Sequence, residues 1–315
     1  MPSANPPRIL CIGIPVRDLI FRIEELPERG AKVNASHFDQ IGGGNALNAA
    51  IGIVRLGGRA SLCGPIGDAG ETSSRYIFDK LAGEGIDTRH LVHMPGLVTP
   101  ISNIMIEPSG ERTIVVFRDP QLWKVSLPDA DTLLDDCSAI LVESRCAEFC
   151  VGLCAEARKR GIAVVVSVDR AMSLRDGLLT ASSHLVFSSE ALRSTAGIAD
   201  DGEALKKMAG LTPSFLAGTQ GPQGTLWLDE NQTLRRTPAF PVPAVDTLGA
   251  GDVFHGAFAL AITEKQELRQ ALRFASAAAA LKCTRFGGAY AAPQRLEVEQ
   301  LLTQGRTADS APLPQ

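Results

Sequence analysis

The chain has 315 residues, 45% of them hydrophobic and 21% charged, which is enough for one large α/β domain or two smaller ones. Its net charge of −4 comes from 31 basic and 35 acidic residues that are intermixed, so no basic stripe predicts nucleic acid or an anionic membrane as a partner. Seven cysteines without framework spacing favour a reducing compartment. With no signal-like apolar segment at the N-terminus and no long apolar run, we expect a cytoplasmic protein.

Short apolar runs alternate with helical periodicity along the chain. The predicted strands are 8–14, 60–66, 138–144, 162–168, 184–189, 214–219 and 225–229. The predicted helices are 45–57, 71–84, 147–160, 202–209, 252–263, 267–283 and 294–304. This order predicts an α/β fold, with a mostly parallel central sheet flanked by helices and ligands at the carboxyl ends of the strands. We treat 1–315 as a single domain with loose ends at 1–7 and 305–315.

Two stretches, 15–41 and 97–118, break this alternation. Within the second, 101–107 and 112–117 have period-two polarity around a turn at 108–111, which predicts a small antiparallel sheet, or lid, lying off the main sheet. Its apolar face would need cover from the substrate, from a partner subunit or from both; the residues concerned are Ile101, Ile104, Ile106, Ile114 and Val116. We therefore expect a homodimer whose lids pack together.

The string 246-DTLGAGD-252 precedes an apolar helix and carries the clearest chemical signal. A glycine-rich turn that opens a helix directs free N–H groups at one point, where the helix dipole favours an anion. Gly249, Ala250 and Gly251 are small enough for a phosphate to approach, so they form a predicted anion hole. Asp252 follows in the first turn and is suited to accept the proton of an attacking hydroxyl. The alternative for an isolated Asp is a carboxylate placed there by the helix dipole.

Two further loops have ligand-binding character. The loop 218–224 has three glycines and a threonine, which suits nucleotide phosphates but is also typical of a hairpin between strands. In 41-IGGGNALNAA-50, Gly43 and Gly44 permit close backbone approach, and Asn45 and Asn48 offer amides to sugar hydroxyls. Asp18, after the first strand, could accept two sugar hydroxyls. The alternatives are packing glycines, an Asn cap and an ordinary turn Asp.

Over nearly its whole length the chain resembles the PfkB carbohydrate kinase family, also called the ribokinase family. The string DTLGAGDVFHGAF matches the C-terminal signature of that family, and GGGNALNAAIGIVRLGG with CGPIGDAGE resembles the N-terminal one. The resemblance implies a central sheet with a β lid that often dimerises, Asp252 as catalytic base and the anion hole at 249–251. It also implies sugar contacts from Asp18, Gly43, Gly44 and Asn48, and nucleotide contacts from Thr219, Gly221, Gly224, Asp246 and Thr247.

The resemblance implies ATP and Mg²⁺ as well, and it allows a monovalent cation such as K⁺. The family usually has Asn-x-x-Glu near the phosphates, but here the stretch is 186-VFSSEALRSTAG-197. A serine replaces the Asn, and Glu190 fits only with an offset of one residue. Mg²⁺ is still expected, because phosphoryl transfer needs its charge.

The substrate is predicted from charge and from a subgroup likeness. Arg145 follows a strand, and Lys32 and Arg118 lie in the lid stretches, so all three could read an anionic group on the sugar. The alternatives are solvated side chains or ion pairs with Glu143 or Asp119. Strings such as RFASAAAALKCTRFGG are similar to the sulfofructose kinase group, which implies an anionic ketose. A neutral-sugar kinase, a nucleoside kinase and a sensor without turnover remain the alternative functions.

Overall fold

A computed structural model describes residues 6–109 and 111–304. Three predicted parts fall wholly or partly outside these ranges: residues 1–5 of the N-terminal loose end, all of the C-terminal loose end at 305–315, and residue 110 of the turn at 108–111. The strands are β1 Arg8–Ile12, β2 Val16–Arg22, β3 His37–Gly43, β4 Arg59–Ile66, β5 Asp87–His93, β6 Ile101–Ile106, β7 Arg112–Phe117, β8 Ala139–Glu143, β9 Ala163–Val168, β10 His184–Ser188, β11 Phe215–Thr219, β12 Thr225–Leu228 and β13 Leu234–Thr237. The helices are α1 Asn45–Arg55, α2 Thr72–Gly83, α3 Ala130–Leu134, α4 Ala147–Lys159, α5 Leu178–Ala181, α6 Ser189–Ala196, α7 Asp201–Ala209, α8 Ala250–Thr263, α9 Leu268–Cys283 and α10 Arg295–Gln304.

Nine strands form the main sheet in the order β13-β12-β11-β10-β9-β8-β1-β4-β5. The seven strands from β11 to β5 pair in parallel, and β12 and β13 continue the sheet in antiparallel, with β13 at one edge and β5 at the other. Two apolar clusters lie on the two sides of the sheet, because strands such as 164–166 are buried on both faces. The predicted α/β fold with a mostly parallel sheet is therefore confirmed.

Sequence patterns missed the two edge strands of the main sheet, β5 and β13, and the three short helices α3, α5 and α6. β5 has the sequence DTRHLVH and β13 has LRRT, so neither has the apolar run by which the buried strands were recognised. Edge strands need less apolar surface because one side faces solvent. Helix α6 begins at Ser189, where the Ser188 side chain caps it by accepting from the Ala191 N–H.

The four lid strands form a second sheet in the order β3-β2-β6-β7. The prediction of an antiparallel sheet is wrong at its centre, where β2 and β6 pair in parallel with Arg17 opposite Ile101. The reason is topological: β2 follows β1 and β6 follows β5, so both enter the lid from the carboxyl ends of parallel strands. The two outer pairs, β2 with β3 and β6 with β7, are antiparallel as expected.

Alternation along β7 gives the lid an inner and an outer face. Ile114 and Val116, with Ile104 of β6, line a cavity beneath the lid. Val115 and Phe117 occupy the alternate positions and are 63% and 56% exposed. Three of the five residues predicted to share one apolar face therefore line the cavity, whereas Ile101 pairs with Phe117 and belongs to a second apolar face on the outside of the lid.

Two further features bear on compartment and membrane association. All seven cysteines are free, and Cys146, at the N-cap of α4, is buried in one cluster with Cys150 and Cys154 of that helix. Within the described ranges, none of the helices combines the length and the apolar character that a membrane crossing needs.

Candidate active site

The 246–252 string folds as a loop that enters helix α8 at its N-terminus. Gly249 is the N-cap residue with φ +76°, a left-handed conformation that favours glycine. A Cβ at this position would also lie 3.1 Å from the Ala289 amide nitrogen. The helix then starts at Ala250, whose N–H donates to the Thr247 carbonyl at 3.2 Å. The N–H groups of Gly251 and Asp252 come next, have no acceptor within the helix and can serve an anion.

Asp252 lies in the first turn of α8 and lines the cavity beneath the lid. Its Oδ2 accepts a hydrogen bond from Nδ2 of Asn48 at 2.8 Å. Burial raises the pKa of Asp252 to about 7; the Asn48 bond lowers it, and the charges of Glu143 and Asp169 raise it further. A carboxyl with a pKa near neutrality is suited to accept a proton from a substrate hydroxyl.

Asn48 therefore orients the predicted base, in addition to lining the cavity. It is 7% exposed on α1, and its Oδ1 is buried without a protein partner. An unsatisfied buried carbonyl oxygen costs free energy unless a ligand or water donates to it. That oxygen is therefore a ready acceptor for a substrate hydroxyl.

A second charged group lies next to Asp252, at the carboxyl ends of β8 and β9. Arg145 contacts two carboxylates: its Nε lies 3.2 Å from Oε2 of Glu143, and its Nη2 binds Oδ2 of Asp169. Glu143 is 2% exposed and also accepts from the Ala46 N–H at 2.8 Å. Burial raises the pKa of Glu143, and the nearby guanidinium of Arg145 lowers it. These contacts fix the polar floor beneath the cavity.

The cavity beneath the lid has a volume of about 440 Å³, which is large enough for a small sugar. It joins the carboxyl ends of the main strands to the inner face of the lid. Its lining includes Asp18, Gly44, Asn45, Asn48, Ser102, Arg112, Arg118, Asp169, Thr247, Gly249, Gly251 and Asp252. The sequence-predicted sugar and phosphate residues thus largely converge on one space.

Asp18 faces this cavity from β2 and is 7% exposed. Its Oδ1 accepts from the Ser102 hydroxyl at 2.5 Å. Burial raises the pKa of Asp18 to about 6, while the Ser102 bond and the Arg118 charge lower it. Gly43 allows this arrangement, because a Cβ there would lie 1.9 Å from Oδ2 of Asp18. Gly43 makes room for the carboxylate, whereas the adjacent Gly44 lines the cavity itself.

The four cations of the region have different positions. Arg112 and Arg118 line the cavity, and Nε of Arg118 is buried without a protein partner. Arg145 has its guanidinium bound to Glu143 and Asp169 instead, and Lys32 lies in an exposed loop between β2 and β3. Neither Arg145 nor Lys32 is among the lining residues. The structure thus brings Arg118 to the substrate space but not the other two predicted cations.

A second cavity, of about 580 Å³, lies beside the first. It is lined by Ser189, Glu190, Arg193, Asp201 and the loop 219–223, and Thr219 lines both cavities. Gly221, at φ +56°, lines it as well. Gly224 serves the turn itself: it has φ +93°, and a Cβ would lie 2.1 Å from the Thr237 carbonyl oxygen. Asp201 is bonded to Ser189, Arg193 and Gln220, so Glu190 is the exposed carboxylate on this lining.

Two residues of the 246–252 loop, both predicted to contact nucleotide, have different positions. Thr247 lines the inner cavity and accepts from Nη1 of Arg112 at 3.2 Å. Asp246 lies beneath the loop, where its carboxylate is 3.0 Å from Nζ of Lys282. Its Oδ2 also accepts from the Gly287 and Gly288 N–H groups. Asp246 therefore holds the loop in place, and it is not among the described residues that line either cavity.

Sequence reasoning missed Asp169, Ser102, Arg112 and Lys282. Asp169 directly follows β9, so the rule that ligands bind at the carboxyl ends of parallel strands could have found it. Ser102 and Arg112 lie on lid strands, where only the register of β6 against β2 and β7 brings them to the cavity. Lys282 lies in an alanine-rich helix and has no local signal in the sequence.

Comparison with known proteins agrees with this geometry. The model of the pfkB family carbohydrate kinases matches residues 6–295. The ribokinase of Bacillus subtilis is 27% identical over 298 residues, which cover 94% of this chain and 99% of that protein. A solved structure, titled as a putative ribokinase from Agrobacterium tumefaciens, has 36% identity and a TM-score of 0.91, covering 97% of this chain and 100% of the other.

A more distant structure, Arabidopsis thaliana ribokinase complexed with ribose and ATP, supports the fold with a TM-score of 0.83 at 22% identity; it covers 95% of this chain and 99% of the other. The family model matches nearly the whole described chain, and both the N-terminal glycine string and the 246–252 string fall within the match. The chain therefore belongs to the pfkB family of carbohydrate kinases.

Proposed function

We propose that this carbohydrate kinase transfers the γ-phosphoryl group of ATP to a hydroxyl of a small sugar, with Asp252 as the base. The observation that carries the proposal is the position of Asp252: it lies at the N-terminus of α8, in the cavity beneath the lid, which adjoins a second cavity at Thr219. A sugar in the first cavity and a nucleotide in the second would meet beside Asp252. The helix N-terminus faces the same point, where a transferring phosphoryl group needs donors.

The reaction balances with the groups present. The acceptor hydroxyl oxygen forms a bond to the γ-phosphorus, and its proton passes to the Asp252 carboxylate. The bond between the γ-phosphorus and the bridging oxygen breaks, and ADP leaves with that electron pair. The N–H groups that start α8, at Gly249–Gly251, stabilise the negative charge on the transferring group. Asn48 keeps the carboxylate in place through its 2.8 Å bond.

The nucleotide and its metal ion are assigned to the second cavity. Thr219 and Gly221 line it, and the 219–223 loop would contact the phosphates. Mg²⁺ commonly takes one or two protein carboxylates and completes its coordination with phosphates and water. Glu190 fits that role because it is exposed on the lining, whereas Asp201 is already bonded to three side chains. Bound Mg²⁺ would neutralise charge on the phosphates.

For the substrate, we favour a sugar with an acidic substituent, such as an anionic ketose. Arg118 supports this choice, because its Nε is buried in the cavity region without a protein acceptor. Burial lowers the pKa of Arg118, and the Arg145 charge lowers it further. A half-buried guanidinium whose Nε has an open donor is best satisfied by a carboxylate, phosphate or sulfonate oxygen. Asp18 and Asn48 would serve the neutral hydroxyls of the same sugar.

A neutral sugar is the second candidate, and the ribokinases among the relatives favour it. A nucleoside is a weaker candidate. Among the described residues that line the inner cavity, His255 is the one ring, and it bonds to Ser167 and the Val186 carbonyl. The cavity therefore offers no free aromatic face for a base to stack on.

The assembly proposal rests on the outer face of the lid. Phe38, Val115 and Phe117 are 52%, 63% and 56% exposed on strands at the two edges of that sheet. An apolar sheet face of this kind is an aggregation liability unless another surface covers it. We assign this face to a second copy of the chain, giving a homodimer, and a cytoplasmic location fits the free thiols.

A panel of acidic and neutral ketoses, aldoses and nucleosides, tested with ATP and Mg²⁺, checks the substrate proposal. We expect ADP release with small sugars and the highest kcat/KM with an acidic one. A rise in Tm with the same compound would report binding independently of turnover. Highest kcat/KM with ribose would favour the neutral candidate, and binding without ADP release for every compound would contradict the kinase proposal.

A further inference from the structure

Lys282 is a charged side chain with no solvent exposure, in the last turn of α9. Moving an ammonium group out of water is costly unless hydrogen bonds and an opposite charge compensate. Burial lowers the pKa of Lys282, and Asp246 raises it again. Because burying this ammonium group costs free energy, its contacts indicate what it does.

Both contacts of the ammonium group are oxygens of Asp246. Nζ donates to the Asp246 carbonyl oxygen at 2.7 Å and lies 3.0 Å from its Oδ2. The same Oδ2 accepts from the N–H groups of Gly287 and Gly288 at 3.1 and 3.0 Å, and Oδ1 accepts from the Leu248 N–H at 2.8 Å. One cation and one carboxylate therefore join the end of α9, the 287–288 turn and the loop before α8.

That loop sets the position of the anion hole. Gly249 follows Leu248 directly and caps α8, and its Cα packs against the Ala289 backbone so closely that a Cβ would lie 3.1 Å from the amide nitrogen. A shift of Asp246 would move Leu248 and Gly249, and with them the N–H groups that face the phosphoryl group. Lys282 thus acts on the reaction through the loop and without contact with substrate.

We propose that Lys282 is a built-in monovalent cation that holds the anion-hole loop in its working position, so that the enzyme needs no added K⁺. Carbonyl and carboxylate oxygens are the ligands that a K⁺ ion would use, and the ammonium carries the same charge. Here those oxygens of Asp246 are already bound to Nζ. The family resemblance allows a monovalent cation such as K⁺ without placing it, and at Asp246 such an ion does not fit because Lys282 already occupies the oxygens. The inference rests on the proposed kinase reaction and adds a positioning residue to it.

The salt dependence of the unmodified enzyme is the first test, and it needs no variant. Turnover would be compared in KCl, NaCl and tetramethylammonium chloride at about 100 mM, where ionic strength is matched. We expect kcat to agree within about twofold in the three salts, since the cation is part of the chain. A rise of more than about fivefold in KCl alone would overturn the proposal. Absence of turnover in all salts would instead count against the kinase function.

Removal of the ammonium group is the second test. Lys282→Met keeps a long side chain without charge, and we expect kcat to fall about tenfold or more, because the buried Asp246 carboxylate loses its counter-ion. Lys282→Ala leaves space, so K⁺ or ammonium should restore part of its kcat, while the bulky tetramethylammonium should not. The same small cations should raise the Tm of Lys282→Ala but leave that of the unmodified enzyme unchanged, a readout independent of activity.

Lys206→Met is the matched control, since Lys206 is an exposed lysine paired with Glu203 on α7. It should change neither kcat nor its salt dependence. Near-normal kcat in folded Lys282→Met, or no recovery of folded Lys282→Ala with any small cation, would show that Lys282 only stabilises the fold. If both variants fail to fold, the salt comparison on the unmodified enzyme decides.

Discussion

The floor of the active site and the lid above it differ in how their charged and apolar groups are satisfied. On the floor, Asn48 donates a hydrogen bond to Asp252, and Arg145 forms ion pairs with both Glu143 and Asp169. In the lid, Nε of Arg118 is buried without a protein acceptor, and Phe117 is more than half exposed. The charged groups of the floor are paired within one chain, although Oδ1 of Asn48 and Nε of Arg145 have no hydrogen-bond partner there. The lid instead presents a cation and an apolar face that a ligand or a second chain would complete.

This difference separates chemistry from recognition. Donors and carboxylates that are held in place before the substrate arrives cost no reorganisation during the reaction, which suits the proton transfer and the phosphoryl transfer. Unsatisfied groups in the lid gain a partner only when the right ligand is bound, which suits discrimination between sugars. Changes on the floor should therefore affect all substrates, and changes in the lid should affect them unequally.

The largest effect should come from Asp252→Asn. The change keeps the size of the side chain and its bond to Asn48 but removes proton acceptance. We expect kcat to fall by roughly 10²-fold or more for every sugar, with ADP affinity largely kept. Turnover with matched acidic and neutral sugars, together with calorimetry of ADP binding, checks this. Near-normal turnover would remove Asp252 from the role of base.

The pH dependence gives an independent check of the same group. Because burial raises the folded pKa of Asp252 to about 7, its charged form is disfavoured in the folded protein and stability falls as pH rises towards that value. Activity has the opposite sign, since the base must be deprotonated, so kcat/KM should fall below about pH 7. By Tm, Asp252→Asn should differ little from the parent near pH 4, become increasingly more stable than the parent as pH rises, and level off above about pH 7.

The floor was largely predictable from the sequence because its residues sit in contiguous strings. The 246–252 string contains the glycines that a tight turn requires and a carboxylate in the next helical turn, so local chemistry alone indicates Asp252. The main sheet was predictable for a similar reason, since strands buried on both faces need continuous apolar runs. Edge strands β5 and β13 lack that signal and were missed.

The lid was harder to predict because its geometry depends on pairing between distant segments. The parallel pairing of β2 with β6 brings Ser102 to Asp18, and the pairing of β6 with β7 brings Arg112 to the cavity; neither leaves a trace in local spacing. Arg145 shows the opposite error. Its place after a strand suggested contact with substrate, but the two carboxylates at the ends of β8 and β9 occupy it.

Arg118 and Arg145 therefore give a matched pair of substitutions. Arg118→Ala should raise KM for an acidic sugar by about tenfold or more, because a charged hydrogen bond contributes roughly 1.5–3 kcal/mol, and should barely change KM for its neutral analogue. Arg145→Ala should impair both sugars alike and lower stability by about 3–5 kcal/mol, since Glu143 would remain buried without its counter-ion. Steady-state kinetics with the two sugars and denaturant unfolding would measure these effects.

If Arg145→Ala raised KM for the acidic sugar more than for the neutral one, and Arg118→Ala raised KM for both equally, the two assignments would be reversed. Equal loss for both sugars in both variants would leave the acidic-substrate proposal without support. The sharpest outcome is therefore a selectivity change confined to Arg118, which would place recognition in the lid and leave the floor to the chemistry.

The smallest effect on a single chain should come from Val115→Lys, on the outer face of the lid. Val115 is 63% exposed, so the change removes little buried surface, and we expect a stability change within about 0.5 kcal/mol for the isolated chain. In a dimer, each copy would instead bury an unpaired ammonium, so the dimer should dissociate. Sedimentation at micromolar concentration should show a dimer for the parent and a monomer for the variant. Leu211→Lys, between α7 and β11 on the main domain and 42% exposed, introduces the same charge outside the lid and should stay dimeric. A monomeric parent would remove the dimer proposal, and a dimeric Val115→Lys would move the interface to another surface.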